Sequence, residues 1–177
     1  MNGQGTAPVA RELARAAAAR DFVRLRAHPE CVRYAWDPEY DGDVLVTVQL
    51  KAQAPGYESS QRVDRYVVTL YCDSYDVWPP EVKFVDPTTR TYTVGATAYL
   101  PRIEGFPNLG IHTSFNNFYE VGRVDQLVCF SFTRGYYDSA HTPNADERWT
   151  QGRHWLFSTI KVLQRALQPA YYRGPLG

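Results

Sequence analysis

The segment "QLVCFSFTRG", residues 126–135, places one of the three cysteines where it could act as a nucleophile. If the segment is extended, alternate side chains form a continuous apolar face made of Val128, Phe130 and Phe132. Cys129 then faces the opposite side, toward the preceding loop and away from the core. Arg123 and Arg134 flank it and would favour the thiolate, which is the form that attacks. The pattern predicts a reactive thiol, with a half-exposed structural cysteine as the alternative.

The other two cysteines lack such a setting. Cys72 shares a predicted strand face with Tyr66, Val68 and Leu70, which is typical of an inert core thiol. Cys31 lies at a predicted helix–strand junction with no obvious activating partner. Because the number of cysteines is odd and no C-x-x-C pair is present, the sequence argues against a disulfide framework and indicates a reducing compartment.

The histidines do not have the spacing of a metal site. His28, His112, His141 and His154 are neither one helical turn apart nor at zinc-finger spacing. The chain also lacks a G-x-S-x-G elbow, a P-loop and a G-x-G-x-x-G fingerprint. We therefore expect no metal and no cofactor, and the serine hydrolase, NTPase and dinucleotide-binding classes are excluded.

Composition narrows the class of partner. The 177 residues include 19 basic and 19 acidic side chains, so no net field would draw the protein to nucleic acid or to an anionic membrane. No apolar run reaches membrane-spanning length, and the N-terminus lacks a signal-peptide core. We expect a cytoplasmic protein of one domain, residues 1–177, that recognises other proteins through local surfaces.

Helical and extended patterns alternate along the chain. After a short tail, residues 1–7, the segment from Pro8 to Pro29 has helix formers throughout, with Leu13, Ala17 and Leu25 broadly on one side. Four strand-like runs follow, and these are "VRYAWDP", "VLVTVQLKA", "RYVVTLYCD" and "EVKFVDP". The glycine turn "EYDGD" lies between the first two runs, which predicts a hairpin within a four-stranded antiparallel meander.

The second half of the chain combines a long loop with a helix. Residues 88–128 read as irregular, and a loop of that length in a compact domain is usually functional. Asn144 and Glu147 resemble a capping box, and an apolar stripe then runs to Pro169, followed by a C-terminal tail, residues 170–177. The predicted fold class is α+β, with helices packed on one antiparallel sheet.

The proline pair between the third and fourth strands carries a resemblance. Proline cannot sit inside a paired central strand, so the pair must form a rigid corner. The corner has the pattern Y/F-x-x-x-P-P-x-V-x-F, carried by Tyr75, Trp78, Pro79, Pro80, Val82 and Phe84. Together with Gly122 and "LVCFSF" around Cys129, it resembles the ubiquitin-conjugating enzyme (UBC) fold, and the resemblance covers residues 8 to about 170.

The resemblance implies a thioester carrier. Cys129 would accept a ubiquitin-like protein from an activating enzyme and pass it to an amine on a target protein or small molecule. Arg11 and Arg15, one turn apart on the first helix, would belong to the surface that contacts the activating enzyme. The sequence shows no counterpart of the family's two further C-terminal helices. In this it is similar to bacterial UBC-like proteins of ubiquitin-like conjugation operons, some of which serve antiphage defence.

The chain departs from the family where an oxyanion donor is expected. Phe106-Pro107-Asn108 stands in place of His-Pro-Asn, and it is much farther from the cysteine. Either Asn108 keeps the family role, or His112 with a nearby asparagine performs it. Downstream, Asp138 or His141 would position or deprotonate the acceptor amine.

Two other functions remain open at this point. The protein could be a UBC-like module that only binds a ubiquitin-like partner. The replacement of His-Pro-Asn by Phe106-Pro107-Asn108 favours this function. The protein could also be a thiol hydrolase using Cys129 with His112 or His141. A hydrogen bond between the cysteine and an imidazole would favour the hydrolase. An open thiol beside an asparagine would favour the conjugating enzyme, and a buried thiol would favour neither enzyme.

Overall fold

The computed structural model describes residues 8–53, 63–117, 120–139 and 141–177. The helices in these ranges are α1 (Pro8–Arg26), α2 (Pro29–Arg33), α3 (Arg134–Asp138) and α4 (Leu156–Ala166). The strands are β1 (Asp37–Tyr40), β2 (Leu45–Ala52), β3 (Asp64–Tyr71), β4 (Glu81–Val85), β5 (Pro101–Ile103), β6 (Gly110–Asn116), β7 (Val124–Cys129) and β8 (Tyr172–Pro175). The predicted tail, residues 1–7, lies outside the described residues.

The first four strands form one antiparallel sheet in the order β1-β2-β3-β4. Alternating residues of β2 and β3 point to one face because side chains in a strand alternate. Those on the core face are fully buried, and they are Val46, Val48, Leu50, Val68 and Leu70. Both α1 and α4 contact this sheet as well as each other. The predicted N-terminal helix, four-stranded antiparallel sheet and C-terminal helix are confirmed within an α+β fold.

The proline corner joins this sheet to the segment that follows the cysteine. Pro79 and Pro80 are both buried and directly precede β4. Because they lie outside the strand, their lack of an N–H group does not remove a hydrogen bond from the sheet. The carbonyl of Pro80 accepts the backbone N–H of Arg134 at 3.0 Å. The start of α3 is therefore fixed against the corner.

A buried polar cluster ties the turn before the corner to both long helices. The Tyr75 hydroxyl donates to Asp21 of α1 at 2.7 Å and accepts the backbone N–H of Leu156, the first residue of α4, at 3.0 Å. Arg20 and Arg24 donate to the same carboxylate at 3.0 and 2.9 Å. Burial alone would raise the pKa of Asp21, but the three donors outweigh it, and the pKa lies below its ordinary value.

One of the three residues predicted for the buried face of α1, Leu13, does not lie on it. Leu13 is 68% exposed, whereas Ala14, Ala18 and Leu25 are at most 1% exposed. The predicted Ala17 and Leu25 do face the core. Small alanines let the helix approach the sheet closely, so the largest apolar side chain near its start is not the one that is buried.

The first predicted strand, "VRYAWDP", is wrong in its position. Residues 29–33 form α2, and β1 begins only at Asp37. Pro29 ends the pattern of α1 but is also the first residue of α2, a position where proline lacks only an N–H that would have no partner in the helix. His28 Nδ1 accepts the backbone N–H of Glu30 at 3.2 Å and caps the new helix.

The segment predicted as an irregular loop, residues 88–128, contains three strands. β6 and β7 form an antiparallel hairpin that leads to the cysteine, and β5 pairs with β8. The C-terminal segment expected as a tail therefore contributes a strand, and Tyr172 in it is fully buried. The register of β6 and β7 shifts between His112 and Phe115, which hides the alternation expected of a hairpin.

The last helix begins later than predicted. Asn144 and Glu147 form a turn, closed by a 3.1 Å backbone bond, and α4 starts only at Leu156. Gly152 has a φ of +77°, a left-handed conformation that interrupts a helix between the turn and α4. The predicted capping pair thus exists, but it braces a loop.

Candidate active site

Strand β7 delivers Cys129 to the wall of a cavity. Val128 and Phe130 point into the core, at 1% and 3% exposure, while Cys129 lies on the other side, as alternation predicts. The cavity beside it has a volume of about 450 Å³, and its wall includes Asn108, His112 and His141. Four of the five predicted catalytic residues therefore line one space.

The thiol itself is largely covered. Cys129 is 8% exposed, and its Sγ lies 3.8 Å from His141 Nδ1 and 3.9 Å from Ser139 Oγ. Burial raises the pKa of the thiol, and Ser139, which can turn its hydroxyl proton to the thiolate, lowers it by less. The thiol is thus buried, the outcome expected of neither enzyme, and it lies within hydrogen-bond distance of an imidazole, the outcome expected of a hydrolase. The role of His141 therefore depends on which of its nitrogens carries the proton.

The hydrogen bonds of Ser139 favour one tautomer of His141. The Ser139 hydroxyl has one proton and lies 3.0 Å from the carbonyl oxygen of Tyr136, which can only accept. It also lies 2.8 Å from His141 Nδ1. Both bonds form together when Nδ1 carries a proton and donates to Ser139, since the hydroxyl then donates to Tyr136. The lone pair of a neutral His141 is then on Nε2, and the Nδ1 beside Cys129 is not a base.

Two features of β6 shape the opposite wall. Gly110 pairs with Cys129 across the hairpin, and a Cβ there would lie 3.1 Å from His112 Nε2 and 3.9 Å from the cysteine Cβ. Glycine at this position therefore leaves room beside the thiol. His112 is exposed, and its ring is 6.0 Å from that of Phe115.

Asn108 reaches the cavity from the loop before β6. It adopts a φ of +59°, a left-handed conformation that asparagine tolerates better than most residues. Its side-chain Nδ2 donates to Glu147 Oε1 at 3.1 Å. The predicted asparagine is thus held in the cavity by an acidic residue from the turn before α4.

The fifth predicted residue lies elsewhere. Asp138 accepts the Arg134 guanidinium at 3.0 Å and lines a separate cavity of about 590 Å³. That wall does not include Cys129. The expectation that Asp138 stands with the thiol is not met, because α3 turns its carboxylate back toward its own first turn.

The two arginines that flank Cys129 in sequence do not activate it. Arg134 pairs with Asp138, and Arg123 pairs with Glu120 and Asp125, each at 3.0 Å. Neither arginine contributes to the pKa of the thiol, for which burial is the main cause of the shift. The predicted activation by flanking charge is wrong.

Arg11 and Arg15 lie on α1, away from the cavity wall. Arg11 pairs with Asp43 at 2.7 Å, and half of its side chain is exposed. Arg15 is exposed, and its backbone carbonyl accepts the Tyr40 hydroxyl at 3.3 Å. Both side chains are therefore at the surface.

Sequence reasoning missed three residues of the site: Gly110, Ser139 and Glu147. Gly110 stands two residues after Asn108, and a glycine inside an alternating strand signals a close approach. Glu147 was noticed only as a capping residue. Ser139 carried no signal, because its role depends on the fold of α3 against β7.

Comparisons with known proteins give no further guide to the class. No family model matches the chain, and no curated protein matches its sequence. Among the described residues, no three histidines, cysteines or acidic residues are grouped so as to hold a metal ion. Within the same ranges, no helix is both long and apolar enough to cross a lipid bilayer.

Proposed function

We propose that this protein is a ubiquitin-conjugating-like enzyme that carries a ubiquitin-like protein as a thioester on Cys129 and transfers it to an amine. One observation carries the proposal: the thiol at the end of β7 shares a cavity with Asn108, His112 and His141. The proline corner and the order of helix, four-stranded sheet and helix support the UBC-like reading.

The chemistry consists of two acyl transfers. First, the thiolate of Cys129 attacks the thioester carbonyl on the activating enzyme. A new S–C bond forms, the old S–C bond breaks, and the activating enzyme's cysteine leaves as a thiolate, so that charge is balanced. Next, an acceptor amine attacks the Cys129 thioester, an N–C bond forms, and the Cys129 thiolate leaves while the amine loses a proton.

Each side chain has a role in these steps. An N–H of Asn108 stabilises the oxygen that becomes negative in both tetrahedral intermediates. His141 takes the proton of the amine through Nε2, the nitrogen that its contact with Ser139 leaves free of a proton. His112, on the opposite wall, is the alternative donor to the oxyanion.

The tautomer of His141 favours a carrier over a thiol hydrolase. A hydrolase needs the histidine to take the proton of the cysteine, so the nitrogen nearest the sulfur must carry a lone pair. Here that nitrogen is Nδ1, which lies 3.8 Å from Cys129 Sγ and, in the tautomer that satisfies both bonds of Ser139, donates to the Ser139 hydroxyl at 2.8 Å. The geometry instead makes the histidine available to a second substrate.

A non-catalytic binding module is the second candidate. It is favoured by the low exposure of Cys129, 8%, and by the raised pKa of its thiol. In that case the cavity would hold part of the partner and the cysteine would form no adduct.

A charging assay separates the two candidates. The protein is incubated with its activating enzyme, the ubiquitin-like protein and ATP, and adducts are resolved with and without reductant. We expect a reductant-sensitive adduct on the wild type, a reductant-stable ester on Cys129→Ser and no adduct on Cys129→Ala. No adduct on the wild type, with an activating enzyme that is itself charged, would favour the binding module.

The His141→Asn variant tests the division of labour. Because His141 acts on the amine, we expect charging at the wild-type rate and discharge to free lysine slowed by about 10²-fold to 10⁴-fold. An equal loss of charging would instead assign the histidine to the thiol, as in a hydrolase.

A further inference from the structure

Among the described residues that line the cavity around Cys129, one has an acidic side chain, Glu147. We propose that Glu147 is a positioning residue that orients the amide of Asn108 as the oxyanion donor. The proposal deepens the proposed function and rests on it, since it names what holds the donor in place for acyl transfer to Cys129.

The hydrogen bonds of Glu147 are the first support. Its Oε1 accepts Nδ2 of Asn108, and its Oε2 accepts Nδ2 of Asn144, both at 3.1 Å. A carboxylate only accepts hydrogen bonds, so the nitrogen of each amide must face it and the oxygen must face away. The orientation of the Asn108 amide is therefore set by Glu147.

The count of N–H groups is the second support. An amide nitrogen carries two hydrogens, and the bond to Glu147 uses one of them. The second hydrogen of Asn108 remains for a carbonyl oxygen bound in the cavity. Without the carboxylate the amide could rotate and present its oxygen, which would repel an oxyanion.

The loop around Glu147 keeps the carboxylate in place. Besides the Asn144 side-chain bond, the backbone N–H of Glu147 donates to the carbonyl of Asn144 at 3.1 Å. Asn108 has a left-handed backbone at φ +59°, so a defined conformation at both ends of the contact brings the two side chains together. The hydrogen bond between Asn108 and Glu147 therefore connects two loops of the cavity wall.

Two reactions of Cys129 separate the proposed role from a merely structural one. Acetylation by p-nitrophenyl acetate forms the S–C bond of a thioester, breaks the ester C–O bond and releases p-nitrophenolate, with the thiol proton going to buffer. It passes through an oxyanion. Alkylation by iodoacetamide displaces iodide without an oxyanion, so it reports only the availability of the thiolate.

The ratio of the acetylation rate to the alkylation rate is the measured quantity, with adducts at Cys129 identified by mass spectrometry and Cys129→Ala as the blank. We expect Glu147→Ala and Asn108→Ala each to lower the ratio by about 10-fold to 100-fold. The double variant should fall no further, because both changes remove the same donor. Glu147→Gln keeps an acceptor oxygen for Asn108, but its amide can also donate and so no longer sets one orientation, and its ratio should lie between those of the wild type and Glu147→Ala.

Asp146→Ala is the matched control, since Asp146 is the exposed acidic neighbour of Glu147. It should leave the ratio unchanged. A ratio unchanged in Glu147→Ala, an equal loss of both reactions, or additive losses in the double variant would overturn the role of Glu147. So would the absence of any acetyl adduct on wild-type Cys129.

The charging assay makes the two proposals fail separately. If the ratios follow the expected pattern but the ubiquitin-like protein is never loaded, the carrier function fails and the positioning role stands. If loading occurs and Glu147→Ala leaves the ratio unchanged, the carrier function stands and the positioning role is overturned.

Discussion

Replacing Ser139 by alanine should make Cys129 less reactive near neutral pH without changing its limiting reactivity. Ser139 Oγ lies 3.9 Å from the sulfur and lowers the thiol pKa against the larger effect of burial. Its single proton, which points to the Tyr136 carbonyl beside a neutral thiol, has to turn to the sulfur when the thiolate forms. A hydrogen bond of this kind contributes about 0.5–1.5 kcal/mol, which corresponds to about a 2-fold to 10-fold change in the thiolate population. Since 3.9 Å is near the limit for a bond to sulfur, the smaller end of that range is expected.

The assay is the rate of iodoacetamide alkylation at Cys129 as a function of pH. Each variant is also made in the His141→Ala background, so that an imidazole released by the loss of Ser139 cannot take the place of the hydroxyl. In both backgrounds we expect the profile of Ser139→Ala to move to higher pH and to reach the same plateau. Ser131→Ala is the control, because Ser131 lines the same cavity without a bond to the sulfur among those described. An unmoved profile, or a lower plateau at high pH, would refute the assignment of Ser139.

Three further outcomes follow from burial and hydrogen bonding. Tyr75→Phe should lower the free energy of unfolding by about 3 kcal/mol, because a buried bond to the Asp21 carboxylate is lost and the N–H of Leu156 loses its acceptor; a urea titration measures it. Asp21 has a lowered pKa, so its contribution to stability is present above its unfolded pKa, near 4, and is lost as pH falls through the folded value. The free energy of unfolding should therefore fall less steeply with decreasing pH in Asp21→Asn. In the native state iodoacetamide should label Cys129 before Cys72, which is fully buried and has a strongly raised pKa, as peptide mapping would show.

The parts of the fold that follow local rules were predictable. β2 and β3 alternate apolar side chains over a length that only a half-buried strand explains, and Pro79-Pro80 requires a corner. Local rules failed where two signals overlap. Pro29 both ends one helix and begins the next, so the segment after it was read as a strand.

The hairpin before Cys129 shows a different limit. Its first strand carries Gly110, polar residues and a register shift, so alternation is weak, and pairing with β7 depends on contacts across the chain. The position of the cysteine was nevertheless predictable, because alternation in residues 128–132 does not depend on the partner strand. Which side of β7 is covered by the core could be read from Val128 and Phe130 alone.

Proximity in sequence was a poor guide to the electrostatics of the site. Arg123 and Arg134 are near Cys129 along the chain, yet each guanidinium pairs with carboxylates that are nearer still in sequence, Glu120 and Asp125 for Arg123 and Asp138 for Arg134. Glu147, 18 positions away, reaches the cavity because its loop folds back over Asn108. Charges act over the distance between atoms, and that distance is set by tertiary contacts.

The resting state of Cys129 bears on the class of reaction that the cavity serves. A hydrolase attacks a stable amide or ester and benefits from a thiolate formed before the substrate arrives. A carrier receives an acyl group already activated as a thioester. Exchange of one thioester for another therefore needs a smaller population of thiolate before the substrate arrives. The slower step is then the attack of the amine on the thioester, which needs a base and an oxyanion donor. A thiol with a raised pKa, beside a histidine whose Nδ1 is engaged by Ser139 and an amide braced by Glu147, fits the second set of demands.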